Sequence, residues 1–268
     1  MKEKTLLDLF LNYQMKTSDG DELKSALEST IIEERQCIEL FKLQIKHCKE
    51  QIININKVIA TRGGSADLQS KKSTFEDELV ILNVAALVQR CNVETKGLQK
   101  LLYFEENESS KERIAVDANI TMYEWCNDFN DLTGKRFQQL AQRLMKSEEL
   151  AVMRQAKKNL GDFYDLEKPV LSLVRHNVGA HRDHDFMTQQ EVLEGIGWAD
   201  TIERLHRFEV VTLELGRSIK PFMDAGLAKS RGTGTLIRKR DEGRGNYVFK
   251  VQGSRFMVKG KYWFRVQG

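Results

Sequence analysis

Proline and cysteine are scarce in this sequence. Its 268 residues include two prolines, Pro169 and Pro221, and four cysteines, none of which forms a Cys-x-x-Cys pair. Scarce proline favours long uninterrupted helices, because proline inside a helix removes a hydrogen bond and clashes with the preceding turn. The cysteine spacing argues against a disulfide framework and against a thiolate zinc site.

Long apolar runs are also missing. No segment has the roughly 18 apolar residues that a membrane-spanning helix needs. The first apolar run is interrupted by Asp8, which is atypical of a signal peptide. The sequence therefore predicts a cytoplasmic protein with no membrane partner.

Charge is unevenly distributed along the chain. The net charge is +3, but residues 226–268 hold eleven Lys or Arg and two acidic residues. Segments such as "NYVFKV" and "YWFRV" in this region are β-branched and aromatic and are separated by turn-type residues, which predicts a small basic β-meander. A basic tail on an acidic body predicts either contact with a polyanionic partner such as a nucleic acid or a solvated face on a small sheet. The candidate nucleic-acid contacts are Arg182, Arg238, Lys239, Arg240, Arg244, Lys250, Tyr262 and Trp263.

The residues before this tail have helical periodicity. From Leu23 to Ala60 apolar residues recur at alternating steps of four and three, with Glu34 as the one charged position of the seam. This pattern predicts either a coiled-coil seam or one arm of an antiparallel helical hairpin. The segment "TRGGSAD" should end this helix. A second helix is predicted from about Ser73, where Glu76 completes capping-box spacing, to Phe104.

Further helices are predicted between residues 111 and 219. One should cover 136–160 and end near Gly161, with Pro169 in the first turn of the next helix. The last should run from about Ala199 to Ile219, with Pro221 after its end. Three domains follow from this organisation: a helical arm at 1–105, a helical bundle at 106–225 and the basic tail at 226–268.

Histidine is concentrated in "LVRHNVGAHRDHDF". Three of the five histidines lie there, at positions 176, 181 and 184, beside Arg175 and Asn177. Histidine transfers protons near neutral pH, and arginine offers a planar fork for phosphate oxygens. Together they could cleave RNA without a metal or another cofactor, because RNA carries its own 2′-OH nucleophile. Arg175 and His181 are six residues apart, about 600° of rotation on an α-helix. They can meet if the helix ends near Gly179 or if a second copy of the chain completes the site.

Other interpretations of the cluster exist. His181 and His184 could bind a metal together with Asp183 and Asp185, and "HD" at 184–185 imitates a metal phosphohydrolase. "HRD" imitates a kinase catalytic loop, but Thr188 stands where that loop needs asparagine. The polar residues could also serve only to cap a helix end.

The segment "PVLSLVRHNVGAHRD" resembles the signature of the HEPN superfamily (higher eukaryotes and prokaryotes nucleotide-binding). Members carry an arginine, then a polar residue and, a few positions later, a histidine at the end of a helix in a small bundle. Arg175, His176 and His181 match these positions. "VGAHRD" is also similar to the ending seen in abortive-infection-type members.

The resemblance implies a mainly α protein with a HEPN-like helical bundle. The coiled-coil-like hairpin would precede the bundle and the basic β-meander would follow it. It also implies a homodimer and metal-independent endoribonuclease activity, as in toxins and phage-defence effectors. Arg175 would stabilise the transition state and His181 would act as acid and base, with His176 and Asn177 assisting. The alternative is a non-catalytic RNA-binding or scaffold protein that binds a partner protein through the helical arm.

Overall fold

The computed structural model describes residues 17–179, 186–231, 237–240, 247–251 and 254–258. The prediction of a mainly helical bundle is confirmed. The helices are α1 (Thr17–Arg62), α2 (Ala66–Phe104), α3 (Glu108–Leu132), α4 (Lys135–Leu144), α5 (Ser147–Val174), α6 (Phe186–Glu194) and α7 (Trp198–Arg231). A π-helical turn, Arg175–Gly179, follows α5. The tail contains β1 (Ile237–Arg240), β2 (Tyr247–Val251) and β3 (Ser254–Val258), which pair antiparallel in the order β1-β2-β3.

Helices α1 and α2 form a long hairpin. Gly63 has a φ of 80° and closes the turn, a conformation that costs a residue with a Cβ about 1 kcal/mol or more. The apolar seam of α1 contacts α2, with Phe41 and Cys48 buried against Leu82 and Ala85. Of the two structures that the seam pattern allowed, the hairpin within one chain is therefore the one formed.

The charged seam position joins the hairpin to the bundle. Glu34 Oε1 lies 2.9 Å from Lys96 Nζ on α2, and that ammonium lies 3.5 Å from Glu209 on α7. Burial raises the pKa of Glu34, while Lys96 acts against that rise. This arrangement links three helices through one lysine and explains a carboxylate in an otherwise apolar seam.

The core of the bundle lies between four long helices. The second half of α2 packs with α3 and α7, and α5 packs against α3 and α7. The side chains with essentially no exposed surface include Ile81, Leu102, Met122, Phe129, Leu171, Phe208 and Phe222. Among the described residues, no helix is long and apolar enough to cross a membrane.

Two predicted helix boundaries are wrong near residues 66 and 145. Helix α2 begins at Ala66 instead of Ser73, because the Ser65 side chain accepts a hydrogen bond from Leu68 N and caps it. The helix predicted at 136–160 is interrupted at Met145 and Lys146, where Lys146 N donates to Glu149 Oε2 over 2.9 Å and starts α5.

The prolines and Gly161 also lie elsewhere than predicted. Gly161 and Pro169 are both inside α5, and Pro221 is inside α7. A proline in a helix interior costs roughly 3 kcal/mol. Leu171 and Phe222 are fully buried just after the two prolines, and such burial contributes about 1.5–3 kcal/mol for each side chain. Because the buried stripe continues past each proline, packing keeps the helices intact.

Candidate functional site

The start of the histidine segment forms the end of α5. Val174 is fully buried, and the five residues Arg175–Gly179 then adopt a π-helical turn. A π turn bonds residue i to i+5 and is frequent at functional sites. The α-helical rotation that separates Arg175 from later residues therefore does not apply to this segment.

Arg175 forms an ion pair with Glu124 of α3. The pair joins Arg175 Nε to Glu124 Oε1, and the side chains are 24% and 47% exposed. Because the contact uses Nε, the two terminal Nη groups of the guanidinium remain outside this pairing. These two Nη groups are the ones with which a guanidinium makes bidentate hydrogen bonds to a phosphate.

His176 belongs to an aromatic cluster beside this pair. Its ring lies edge-on to Tyr123, with 6.1 Å between centroids, and Tyr123 lies 6.0 Å from the ring of Tyr164. Tyr164 donates a hydrogen bond to Asn127 over 3.1 Å. Burial raises the pKa of the Tyr164 hydroxyl, and the nearby Tyr123 adds to the rise. The imidazole of His176 is exposed, so these contacts orient it while it can still reach a ligand.

Asn177 is used partly within the turn itself. Its Nδ2 donates to the carbonyl oxygen of Leu173 over 2.9 Å. This bond gives a carbonyl at the end of α5 a donor. The amide oxygen of Asn177 takes no part in it.

An open groove runs along α5 beside the π turn. It has a volume of about 490 Å³ and is lined by Asp165, Lys168, Pro169, Ser172, Leu173, His176 and Asn177. One cation, one carboxylate and several uncharged donors thus border an apolar floor. An open groove of this kind suits an extended ligand better than a small molecule, which usually binds in an enclosed pocket.

The structure does not group the remaining predicted site residues with Arg175. His181 and Arg182, with His184, lie outside the described residues, as do Arg244, Tyr262 and Trp263. The backbone of β1 carries Arg238, Lys239 and Arg240, and that of β2 carries Lys250. The structure therefore groups Arg175, His176 and Asn177, and the contribution of the others stays a prediction.

Glu124 of α3, which pairs with Arg175, belongs to a row of carboxylates that the sequence did not single out. Glu124, Asp128 and Asp131 follow at steps of four and three, so they share one face of the helix. The pKa of Asp128 is raised by burial, then by Glu124 and Asp131. The spacing was visible in the sequence, but nothing there placed this face beside Arg175.

A buried ion-pair network holds α5 just before the site. Glu167 accepts from Arg204 Nε over 2.6 Å and pairs with Arg207 Nη2 over 2.7 Å. Arg204 also donates to Asn119 over 2.9 Å, and Asn119 is fully buried. The network ties α5 to α3 and α7 two residues before Pro169, so it fixes the position of the site relative to the core.

In the part of the chain that the structure describes, no three His, Cys, Asp or Glu side chains lie close enough to hold a metal ion. Comparisons with models of protein families, with curated proteins and with solved structures give no match to this chain.

Proposed function

We propose that the protein is a metal-independent endoribonuclease of the HEPN type, which would act as a toxin or a phage-defence effector. The observation that carries this proposal is the placement of Arg175 and His176 in a π turn at the end of a bundle helix, beside an open groove. Arginine and histidine are the two residue types that the chemistry requires, and RNA is the substrate class that supplies its own nucleophile.

The reaction would cleave the P–O5′ bond of RNA. A base removes the 2′-OH proton, the 2′-oxygen attacks phosphorus and the 5′-oxygen leaves with a proton from an acid. The products are a 2′,3′-cyclic phosphate and a 5′-OH. Arg175 would stabilise the charge that develops on the phosphate oxygens. His181 would be the acid and base, with His176 and Asn177 orienting the substrate.

An exposed apolar stripe on α5 supports a homodimer. Leu166, Val170 and Leu173 are 66%, 38% and 50% exposed and follow at steps of four and three. Because Leu173 also lines the groove, a second copy packed on this stripe would bring its own Arg175 segment near the first site. Such packing would answer the spacing difficulty between Arg175 and His181.

The test is cleavage of RNA in the absence of free divalent metal. Purified protein is incubated with mixed tRNA and single-stranded RNA in excess chelator, beside Arg175→Ala and His181→Ala. Matched controls are Arg154→Ala, an exposed arginine on the same helix, and His206→Ala, a half-buried histidine on α7. Cleavage should leave 2′,3′-cyclic phosphate ends, disappear in the first two variants and persist in the controls.

The opposite results separate the alternatives. Equal loss in the control variants would indicate damage to the fold instead of a catalytic role. Absence of cleavage by the folded wild-type protein would contradict the nuclease and favour a non-catalytic RNA-binding or scaffold protein. A partner of the arm would then have to use the outer face of α1, because the seam already contacts α2.

A further inference from the structure

The outer face of α1 carries a row of lysines. Lys42, Lys46, Lys49 and Lys57, here called the lysine row, are all exposed. On an α-helix these positions fall within an arc of about 80° and extend over about 22 Å. The seam residues Phe41 and Cys48, which pack against α2, lie about 130° around the helix from the centre of the row, so the row faces solvent along the distal half of the hairpin.

Most of these lysines have no counter-charge among the residues that the structure describes. Lys42 pairs with Glu39 over 2.7 Å. Among the described residues, no carboxylate lies within ion-pair distance of Lys46, Lys49 or Lys57. Glu50 borders the row but is not paired with it. Three exposed ammonium groups therefore remain available to an external anion.

The charges of the hairpin are also segregated along its length. On α1, residues 42–62 contain five Lys or Arg and one acidic residue, whereas residues 20–41 contain two Lys or Arg and six acidic residues. A solvated helix face that served only solubility would mix the two signs. Concentration of positive charge at the distal end instead creates a local attractive field for a polyanion.

We infer that the lysine row is an RNA-binding surface. It would contact the phosphate backbone of the substrate RNA at a place separate from the groove. Lysines on flexible stems neutralise phosphates without reading sequence. An anionic membrane would require a continuous free apolar face beside the basic one. The apolar seam of α1 is buried against α2, and the exposed apolar side chains of α1, Ile32, Leu43 and Ile53, are single residues ten or more positions apart. The choice of RNA among polyanions rests on the proposed function, whereas the inference that this surface binds a polyanion rests on its charges alone.

The test measures the salt dependence of RNA binding. Fluorescence anisotropy of labelled single-stranded RNA gives Kd over a series of salt concentrations for the full chain. Each lost phosphate contact on a single strand reduces the slope of log K against log salt by about 0.7. Lys46→Gln/Lys49→Gln should therefore weaken binding and reduce the slope by about 1.4.

A double variant on the other helix of the hairpin is the matched control. Lys71 and Lys72 lie on α2 and pair with Asp67 over 2.8 Å and with Glu76 over 3.8 Å. Lys71→Gln/Lys72→Gln should change the slope by less than half as much. Far-UV circular dichroism checks that both variants keep their helices.

Three results would overturn the inference: an unchanged slope in the first variant, equal changes in both variants, or preferential binding to vesicles containing phosphatidylserine over RNA. The measurement needs no cleavage. A reduced slope in a protein that never cuts RNA would therefore support the surface and reject the nuclease.

Discussion

Glu167→Gln is expected to destabilise the bundle by about 3–5 kcal/mol, the usual effect of removing one partner from a buried ion pair. The Glu167 side chain is 7% exposed and contacts two guanidinium groups, and the Arg204 side chain is 11% exposed. Glutamine keeps the shape and one acceptor, but it leaves the charge of Arg204 without a buried counter-ion. Arg207, at 41% exposed, can be solvated instead.

This loss is large compared with the net stability of a typical domain, about 5–15 kcal/mol. For a chain of this size it corresponds to a decrease in Tm of roughly 10 °C. Urea denaturation followed by the fluorescence of Trp125 and Trp198, which lie in the bundle, measures the free energy of unfolding. Asp162→Asn is the matched control, because Asp162 pairs only with the exposed Lys158 across one helical turn. Such a pair contributes about 0.3–0.5 kcal/mol.

A change of less than 1 kcal/mol in Glu167→Gln would refute the reasoning, because it would mean that water reaches Arg204 and already screens its charge. Activity provides a second readout. At a temperature where the variant is fully folded, RNA cleavage should fall much less than in Arg175→Ala, since Glu167 positions α5 without lining the groove.

Three further predictions address the candidate site, the hairpin and the proposed dimer. Glu124→Gln keeps an acceptor for Arg175 Nε but removes a negative charge. Even in bulk water, that charge would repel a phosphate bound about 7 Å away by ~0.6 kcal/mol. The value of kcat/KM for RNA should therefore rise about threefold, and a tenfold fall would show that the charge itself is required. Burial raises the pKa of Glu78 above its ordinary 4.5, so folding stability is lost as pH rises through that raised pKa. The Tm advantage of Glu78→Gln should therefore grow from acid to neutral pH, and a pH-independent difference would contradict this account. Leu166→Glu should yield monomers by light scattering, while Leu101→Glu, at an exposed leucine of α2, should leave the proposed dimer intact; identical behaviour of the two would rule out the α5 stripe.

The helical hairpin could be predicted because its signals are local. The seam of α1 repeats every few residues, and the glycines at the turn mark its end directly in the sequence. The start of α2 was missed because Ser65 and Ser73 are both residues that cap helices, and the choice between them depends on where the turn places the chain. Pro169 was assigned to a helix start because proline is common there, whereas the burial that keeps α5 continuous depends on tertiary packing.

The candidate site was only partly predictable, for a related reason. Arg175, His176 and Asn177 were found because an unusual concentration of histidine is visible within a few residues. Glu124 lies 51 positions before Arg175, and only the crossing of α3 and α5 brings the two side chains together. The π turn was likewise invisible, since its five residues have no composition that separates them from an α-helix.

If the proposed function holds, the distribution of charge predicts that RNA affinity and chemistry depend on different residues. Arg175 is paired with Glu124 of α3, and Asp165 lines the groove. These negative charges oppose a polyanion, so the site itself contributes little affinity and favours binding mainly where the guanidinium meets the charge of the transition state. The positive charge that would attract RNA in the proposed nuclease lies elsewhere, in the lysine row and in the basic tail. In such an arrangement, loss of lysines raises KM with kcat unchanged, whereas loss of Arg175 lowers kcat with little effect on Kd. If the lysine variants change only KM and the Arg175 variant changes mainly kcat, the long hairpin contributes to the reaction by binding RNA, and the hairpin need not contact the groove.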